Sequence, residues 1–160
     1  MYEIAQNIRE IITKTLPLLR AMPMSRVAEK PQPEKWSKKE IIGHLIDSAC
    51  NNQQKFVRTM AQSHLDFVGY DQNHWVAVQN YQRMDWQTLL DVWAAYNHQI
   101  AHIVEYVDAS LLDNTISING SEKFTLRFIM SDYAQHLLHH LKQILPDAGL
   151  ESAFVNVYNA

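Results

Sequence analysis

A single cysteine, Cys50, occurs in the sequence, so no disulfide can form within the chain. That fits a reducing compartment, and the expected location is the cytoplasm. Four glycines in 160 residues are too few for a turn-rich all-β fold, whose hairpins call on glycine. No stretch approaches the run of about 18 apolar residues that a membrane span needs, so no membrane partner is expected. The first stretch, "MYEIAQNIREIITKTL", is interrupted by Glu3, Arg9 and Glu10, which leaves no apolar heart for a signal peptide. Positive charge is also scarce. The formal net charge is -3 with histidine neutral, and a nucleic-acid partner would call for a basic face.

Apolar residues, in contrast, make up 47% of the chain and charged residues only 19%. That is enough for a full core and too little charge for a disordered chain. The length suits one compact domain, taken here as 1–160. Four helical segments are expected. The first runs from about Tyr2 to Thr15, with Ile4, Ile8, Ile11 and Ile12 at helical spacing, and Pro17 should kink or end it. "AMPMSRVAEKPQPEK" then reads as a linker broken by prolines. The second helix starts at Ser37, because "SKKE" is a capping box. Trp36 stands where an apolar residue can staple onto Ile41. The helix should reach about Ala61, with Ile42, Leu45, Ile46, Ala49, Phe56, Val57 and Met60 as its apolar set.

Between residues 62 and 84 the aromatics Phe67, Tyr70, Trp75 and Tyr81 suggest a packed excursion, with a short helix across 71–80. Asp85 is a plausible cap for the third helix, whose apolar face carries Trp86, Leu89, Leu90, Trp93, Tyr96, Ile100, Ile103, Val104 and Val107. Around Asn119-Gly120, "TISI" and "KFTL" suit either a small hairpin or an extended loop. The last helix should run from about Leu126 to Leu145, capped by Thr125 and stopped by Pro146. The apolar tail, "DAGLESAFVNVYNA", should pack on the domain or on a partner. The sum is an all-α four-helix bundle with an elaborated connection between the second and third helices.

The segment "DYAQHLLHHLKQI" holds His136, His139 and His140. At about 100° per residue, His140 lies about 40° from His136, while His139 lies about 60° to the other side. The apolar stripe of Ile129, Met130, Tyr133, Leu137, Leu141 and Ile144 spreads from about 20° to 140° on that wheel. His136 and His140 therefore flank or enter the buried stripe, and His139 should face outward. Two imidazoles one turn apart can share a metal ion. The spacing alone is weak evidence, since His98 and His102 in "HQIAH" repeat it with the apolar stripe nearly opposite. That pair reads as a solvated face. A third ligand would be needed, and His44 is the candidate. On spacing alone it reads first as a core-edge histidine held by a hydrogen bond.

"KWSKKEIIGHLIDSA" resembles the W-S-x-x-E-x-x-x-H-L-x-D segment of the DinB/YfiT-like family of metal-dependent bacterial proteins. "HLLHHLKQI" is similar to its H-x-x-x-H-x-x-Q-I ending, and "GYDQNHWV" looks like the loop between its second and third helices. The resemblance spans nearly the whole chain. It implies a four-helix bundle with one divalent metal ion, zinc or nickel, on one histidine of the second helix and two of the fourth. Here these are His44, His136 and His140. Many members place an acid beside the first histidine of the last motif. Gln135 stands there in this chain, so no general base is assigned and the catalytic residues stay unknown.

Three neutral imidazoles leave a divalent ion with open positions. Such an ion can lower the pKa of a bound water or hold a thiol as thiolate. The resemblance therefore implies a metal-dependent hydrolase or a low-molecular-weight-thiol S-transferase acting on a small-molecule substrate. The alternative is a binding or stress-response module with a structural or vestigial site. Asp47, Ser48 and Asp132 are candidates to orient an imidazole, although both acids are as readily solvated helix carboxylates. Cys50, about 240° from His44 on the wheel, reads as a packed small residue, and Trp75, Trp86, Trp93 and Tyr96 read as core. The apolar tail and the resemblance together suggest a homodimer.

Overall fold

Ser37 fixes where the histidine-bearing second helix begins. Its hydroxyl accepts from the Glu40 amide at 3.2 Å, and the Glu40 carboxylate accepts from the Ser37 amide at 2.8 Å. Two otherwise orphaned donors are thereby satisfied. In the computed structural model, which describes residues 1–158, that helix is α3, Lys38–Met60. Around it stand α1 (Tyr2–Arg20), α5 (Trp86–Glu105) and α6 (Leu126–Ile144), with α2 (Met24–Ala28) and α4 (Gln72–Val78) as short connecting helices. Asp85 caps α5 by accepting from Thr88, and Thr125 caps α6 by accepting from Phe128.

The four long helices form the expected bundle, but in a particular ring order. α1 packs along α5, α5 along α3, α3 along α6, and α6 returns to α1. Helices α1 and α3 therefore lie on one diagonal, and α5 and α6 on the other. The diagonal crossings are made by the connections 21–37 and 106–125. This order matters for function, because it makes α3 and α6 direct neighbours. Trp86, Trp93, Phe56 and Leu137 are among the side chains sealed in the core.

Three expectations need correction. Pro17 does not end α1, which continues to Arg20. The proline is exposed, so water can serve the carbonyl its missing N–H leaves free. Beyond it, Leu19 is fully buried and its carbonyl accepts from the Trp86 indole at 3.0 Å. The linker after α1 contains α2, started after Pro23. Val57 is not in the apolar face and is 49% exposed.

The region around Asn119-Gly120 is the hairpin rather than the loop. Strand β2 (Thr115–Ile118) pairs antiparallel with β3 (Phe124–Thr125), and both turn residues have positive φ, 51° and 78°. A strand that periodicity did not suggest, β1 (His64–Phe67), pairs in parallel with β2, His64 opposite Thr115. The sheet thus ties the second connection to the third.

The excursion after α3 is packed, as its aromatics suggested. Tyr81 donates to Asp47 Oδ1 at 2.6 Å and Gln79 donates to the same oxygen at 2.6 Å. Lys39 donates to the Gln82 carbonyl at 2.7 Å. The Tyr81 ring lies directly on Gly43, where an added Cβ would sit 2.1 Å from a ring carbon. A mid-helix glycine costs about 1 kcal/mol against alanine. Here that cost secures a close approach one residue before His44.

Candidate metal centre

α3 presents His44 to α6, and α6 presents His136 and His140 to α3. One ring nitrogen from each residue falls in a set whose members all lie within 4.8 Å of one another. The ring centroids of His44 stand 5.4 Å from His136 and 4.7 Å from His140. The Nε2 atoms of His136 and His140 are 3.1 Å apart, as one helical turn allows. Trp36 lies against the His44 ring at 4.9 Å, roofing the site from the helix start.

His44 is 1% exposed, and both of its nitrogens are buried without a partner, as is Nδ1 of His140. Buried polar atoms are ordinarily hydrogen-bonded, and leaving one unmade costs about 1–3 kcal/mol. Three rings converging on one point, two of them with unpartnered buried nitrogens, fit a divalent cation bound by imidazole. The electrostatics agree. Burial, reinforced by the charge of His140, pushes His44 down to about 3. Burial with the charge of His139 pushes His140 down to about 4. His136 is held well below the ordinary value, first by burial and then by the other histidines. At neutral pH all three imidazoles are neutral and offer their lone pairs.

Of the three candidate orienting residues, only Ser48 reaches a ring, its Oγ standing 3.4 Å from His136 Nδ1. A proton on that Nδ1 directs the lone pair of Nε2 to the centre. Asp47 is buried and bound to Tyr81 and Gln79, while Asp132 accepts from Tyr158 at 2.6 Å. Neither touches an imidazole, and neither is a plain solvated carboxylate. Burial pushes both carboxyls above their usual range.

The tail is the larger surprise. The Ser152 hydroxyl donates to the Gln135 carbonyl at 2.7 Å, and the Ala153 amide donates to Gln135 Oε1 at 2.9 Å. That clasp lays Phe154 on His136 and His139, at 5.0 and 5.5 Å between rings. His139 is therefore half-buried under the Phe154 ring, while its Nε2 meets the Gln143 side-chain amide at 3.0 Å on the exposed side. The wheel placed it correctly on α6 and could not foresee the cover. Gln135, which replaces the expected acid, holds the tail. His98 and His102 are both exposed on α5, as the stripe argument required. Cys50 is half-buried. Trp86 and Trp93 are core. The aromatic walls of the site are Tyr70, Tyr133, Phe154 and Tyr158, which face a cavity of about 650 Å³ that opens onto the three histidines.

Comparison with known proteins places this geometry in context. Residues 7–144 match the DinB superfamily. Among solved structures the chain is similar to YfiT from Bacillus subtilis, described as a probable metal-dependent hydrolase with an unusual four-helix bundle topology. The likeness has a TM-score of 0.79 at 16% identity, over 93% of this chain and 87% of that one. At such identity it speaks to the fold. No curated protein matches the chain.

Proposed function

The chain belongs to the DinB superfamily, and from that premise we propose that it is a metal-dependent hydrolase of a small molecule, with one divalent ion, zinc or nickel, on His44, His136 and His140. The observation that carries the reading is the convergence of three neutral imidazoles, His44 buried and the other two half-buried, with nitrogens of His44 and His140 left without a partner. The description of YfiT as a probable metal-dependent hydrolase supports it. Bound there, a divalent ion would polarise a substrate oxygen or activate a water at its open positions.

The chain's own residues do the rest. Ser48 fixes the His136 ring, Trp36 shields His44, and Phe154 limits water at the α6 side. The cavity is large enough for a ligand of modest size. The test uses protein purified without a nickel column. Metal per chain is measured by mass spectrometry, and hydrolysis of a panel of activated esters and amides is compared before and after chelation. Metal retained at about one ion per chain with chelator-sensitive turnover is expected. Equal turnover in His44→Ala would overturn the reading. Repeating the panel with a low-molecular-weight thiol separates a thiol transferase, which is inert without it, from a hydrolase.

We also propose a homodimer. Phe154 and Tyr158 pack on their own chain, so among the described residues of the tail Val155 and Val157, 68% and 38% exposed, remain for a partner. Sedimentation equilibrium at micromolar protein tests this, a monomer being the contrary result.

A further inference from the structure

Four polar residues run along one edge of α3. His44, Ser48, Asn52 and Lys55 fall within about 80° of each other on the helical wheel, and all four line the cavity onto which the histidines open. Lys55 is half-buried. Its ammonium sits over the Phe67 ring at 5.6 Å and the Tyr158 ring at 5.7 Å, so two aromatic faces hold it in place. Among the described residues it makes no hydrogen bond, and none of the ion pairs includes it. Lys39, the buried lysine of the same helix, is in contrast served by the Gln82 carbonyl. A positioned, half-buried ammonium that faces the cavity keeps its donors free for a ligand anion.

We propose that this cavity contains an anion subsite anchored by Lys55, so that the substrate is a small molecule carrying a carboxylate, phosphate or sulfonate apart from its reacting bond. The proposal deepens the metal-centre reading and rests on it for the position of the reacting bond. The charges agree. Neutral imidazoles leave the double charge of a divalent ion intact. Lys55 adds one positive charge, while Asp132, the acid acting on it and itself engaged by Tyr158, and Asp71 at the cavity lining remove one each, which leaves one positive charge. A loaded site is therefore net positive. The Cα of Lys55 lies about 16 Å along the helix from that of His44, but helical side chains lean toward the N-terminus, which brings the ammonium back toward the histidines. A ligand a few carbons long can bridge the two. Burial lowers the amine to about 8, which still leaves it charged at neutral pH.

The probes are the monohydroxamates of succinic, glutaric and adipic acid, whose hydroxamate seeks open metal positions, and their terminal methyl esters. On zinc-loaded protein at pH 7, calorimetry should show at least one free acid binding about tenfold or more tighter than its ester, the gain typical of a hydrogen bond to a charged group. Lys55→Met keeps the aliphatic stem and should erase that preference while leaving ester affinity and zinc content unchanged, and Lys55→Arg should restore most of it. In protein treated with zinc, millimolar glutarate should protect Lys55 from acylation by acetic anhydride, read by peptide mass spectrometry. Protection without zinc retention would refute the metal reading and keep the anion subsite. An acid preference that is absent in the native protein, or survives in Lys55→Met, overturns the proposal, as does unprotected Lys55.

Discussion

Two histidine pairs in this molecule share one spacing and little else. His136 and His140 on α6 face a neighbouring helix that brings a third imidazole within reach. His98 and His102 on α5 are four apart in the same way, yet both are exposed, and the nearest ring to His102 is Tyr106 at 4.8 Å. Four-residue spacing makes two side chains neighbours and does no more. The difference lies in the opposite wall. The α6 pair looks across the α3–α6 seam, which the diagonal placement of α1 with α3 and α5 with α6 creates. That seam shields the rings in part, holds them neutral and supplies His44. The α5 pair has solvent in its place.

The sharpest way to break this contrast is to remove single rings. His44→Ala and His140→Ala should each weaken zinc or nickel binding more than about a hundredfold, beyond the 10–100-fold usual for outer-shell changes. The ion should then be gone after dialysis at neutral pH. His98→Ala and His139→Ala should keep about one ion per chain by mass spectrometry. Far-UV circular dichroism should be alike in all four, because the core of this bundle does not depend on the ion. Retention in His44→Ala would show that the α6 pair binds without its partner, and the two pairs would then differ less than their surroundings suggest.

Acid should expose the same contrast as a loss of stability. Burial holds His44 at about 3, His140 at about 4, and His136 well below the ordinary 6.5. Below pH 6.5 the unfolded chain takes up protons at these positions, while the native chain does not. The unfolded state then binds more protons, so stability of the metal-free protein is full above pH 6.5 and falls as pH drops toward 4 and 3. By pH 5, His44 alone should cost about 2 kcal/mol. Urea unfolding at pH 7 and pH 5 measures this, and His44→Leu should flatten the slope; an unchanged slope would contradict the burial argument. The same neutrality bears on metal uptake. Three ordinary imidazoles at pH 6.5 would release roughly 1.5 protons on binding an ion. This triad should release far fewer, which calorimetry in buffers of different ionisation enthalpy can count.

Much of this contrast is visible in the sequence, and the remainder is hidden for definite reasons. The helices of the bundle are written in capping residues and 3.6-residue periodicity: Ser37, Asp85 and Thr125 all cap as their chemistry requires. The wheel separates the inward from the solvated histidine pair, because burial stripes are a property of one helix. The meeting of His44 with α6 is not such a property. It depends on which helices are neighbours, and the ring order is set by long connections that carry no periodic signal. Pro17 misleads because only tertiary burial of Leu19 carries α1 past it. Strand β1 has four residues, too few for alternation to stand out, and its pairing with β2 spans about fifty positions of chain. The clasp of Gln135 on the tail is a contact between a helix and an irregular segment, so no pattern announces it. Even so, "AFVNVY" marked the tail as something that had to be covered, and Phe154 is covered by the histidines themselves.

Ser48 gives the finest test of the comparison, since it is what the buried pair has beyond a third ring. Its hydroxyl lies 3.4 Å from His136 Nδ1, and its other contact, from Asn52 Nδ2 at 3.2 Å, leaves its lone pairs partly occupied. The bond to the ring is long, so its effect should sit at the low end for residues that orient a metal-bound imidazole. Ser48→Ala should lower zinc affinity by about tenfold through tautomer and ring orientation, with stoichiometry still near one. Ser48→Thr keeps the hydroxyl and should restore most of the affinity. A competition titration against a chromophoric chelator resolves a change of that size. If Ser48→Ala binds as tightly as the native chain, the His136 tautomer is set by the packing of Phe154 and the facing rings alone. Phe154→Ala would then show the loss that Ser48→Ala did not.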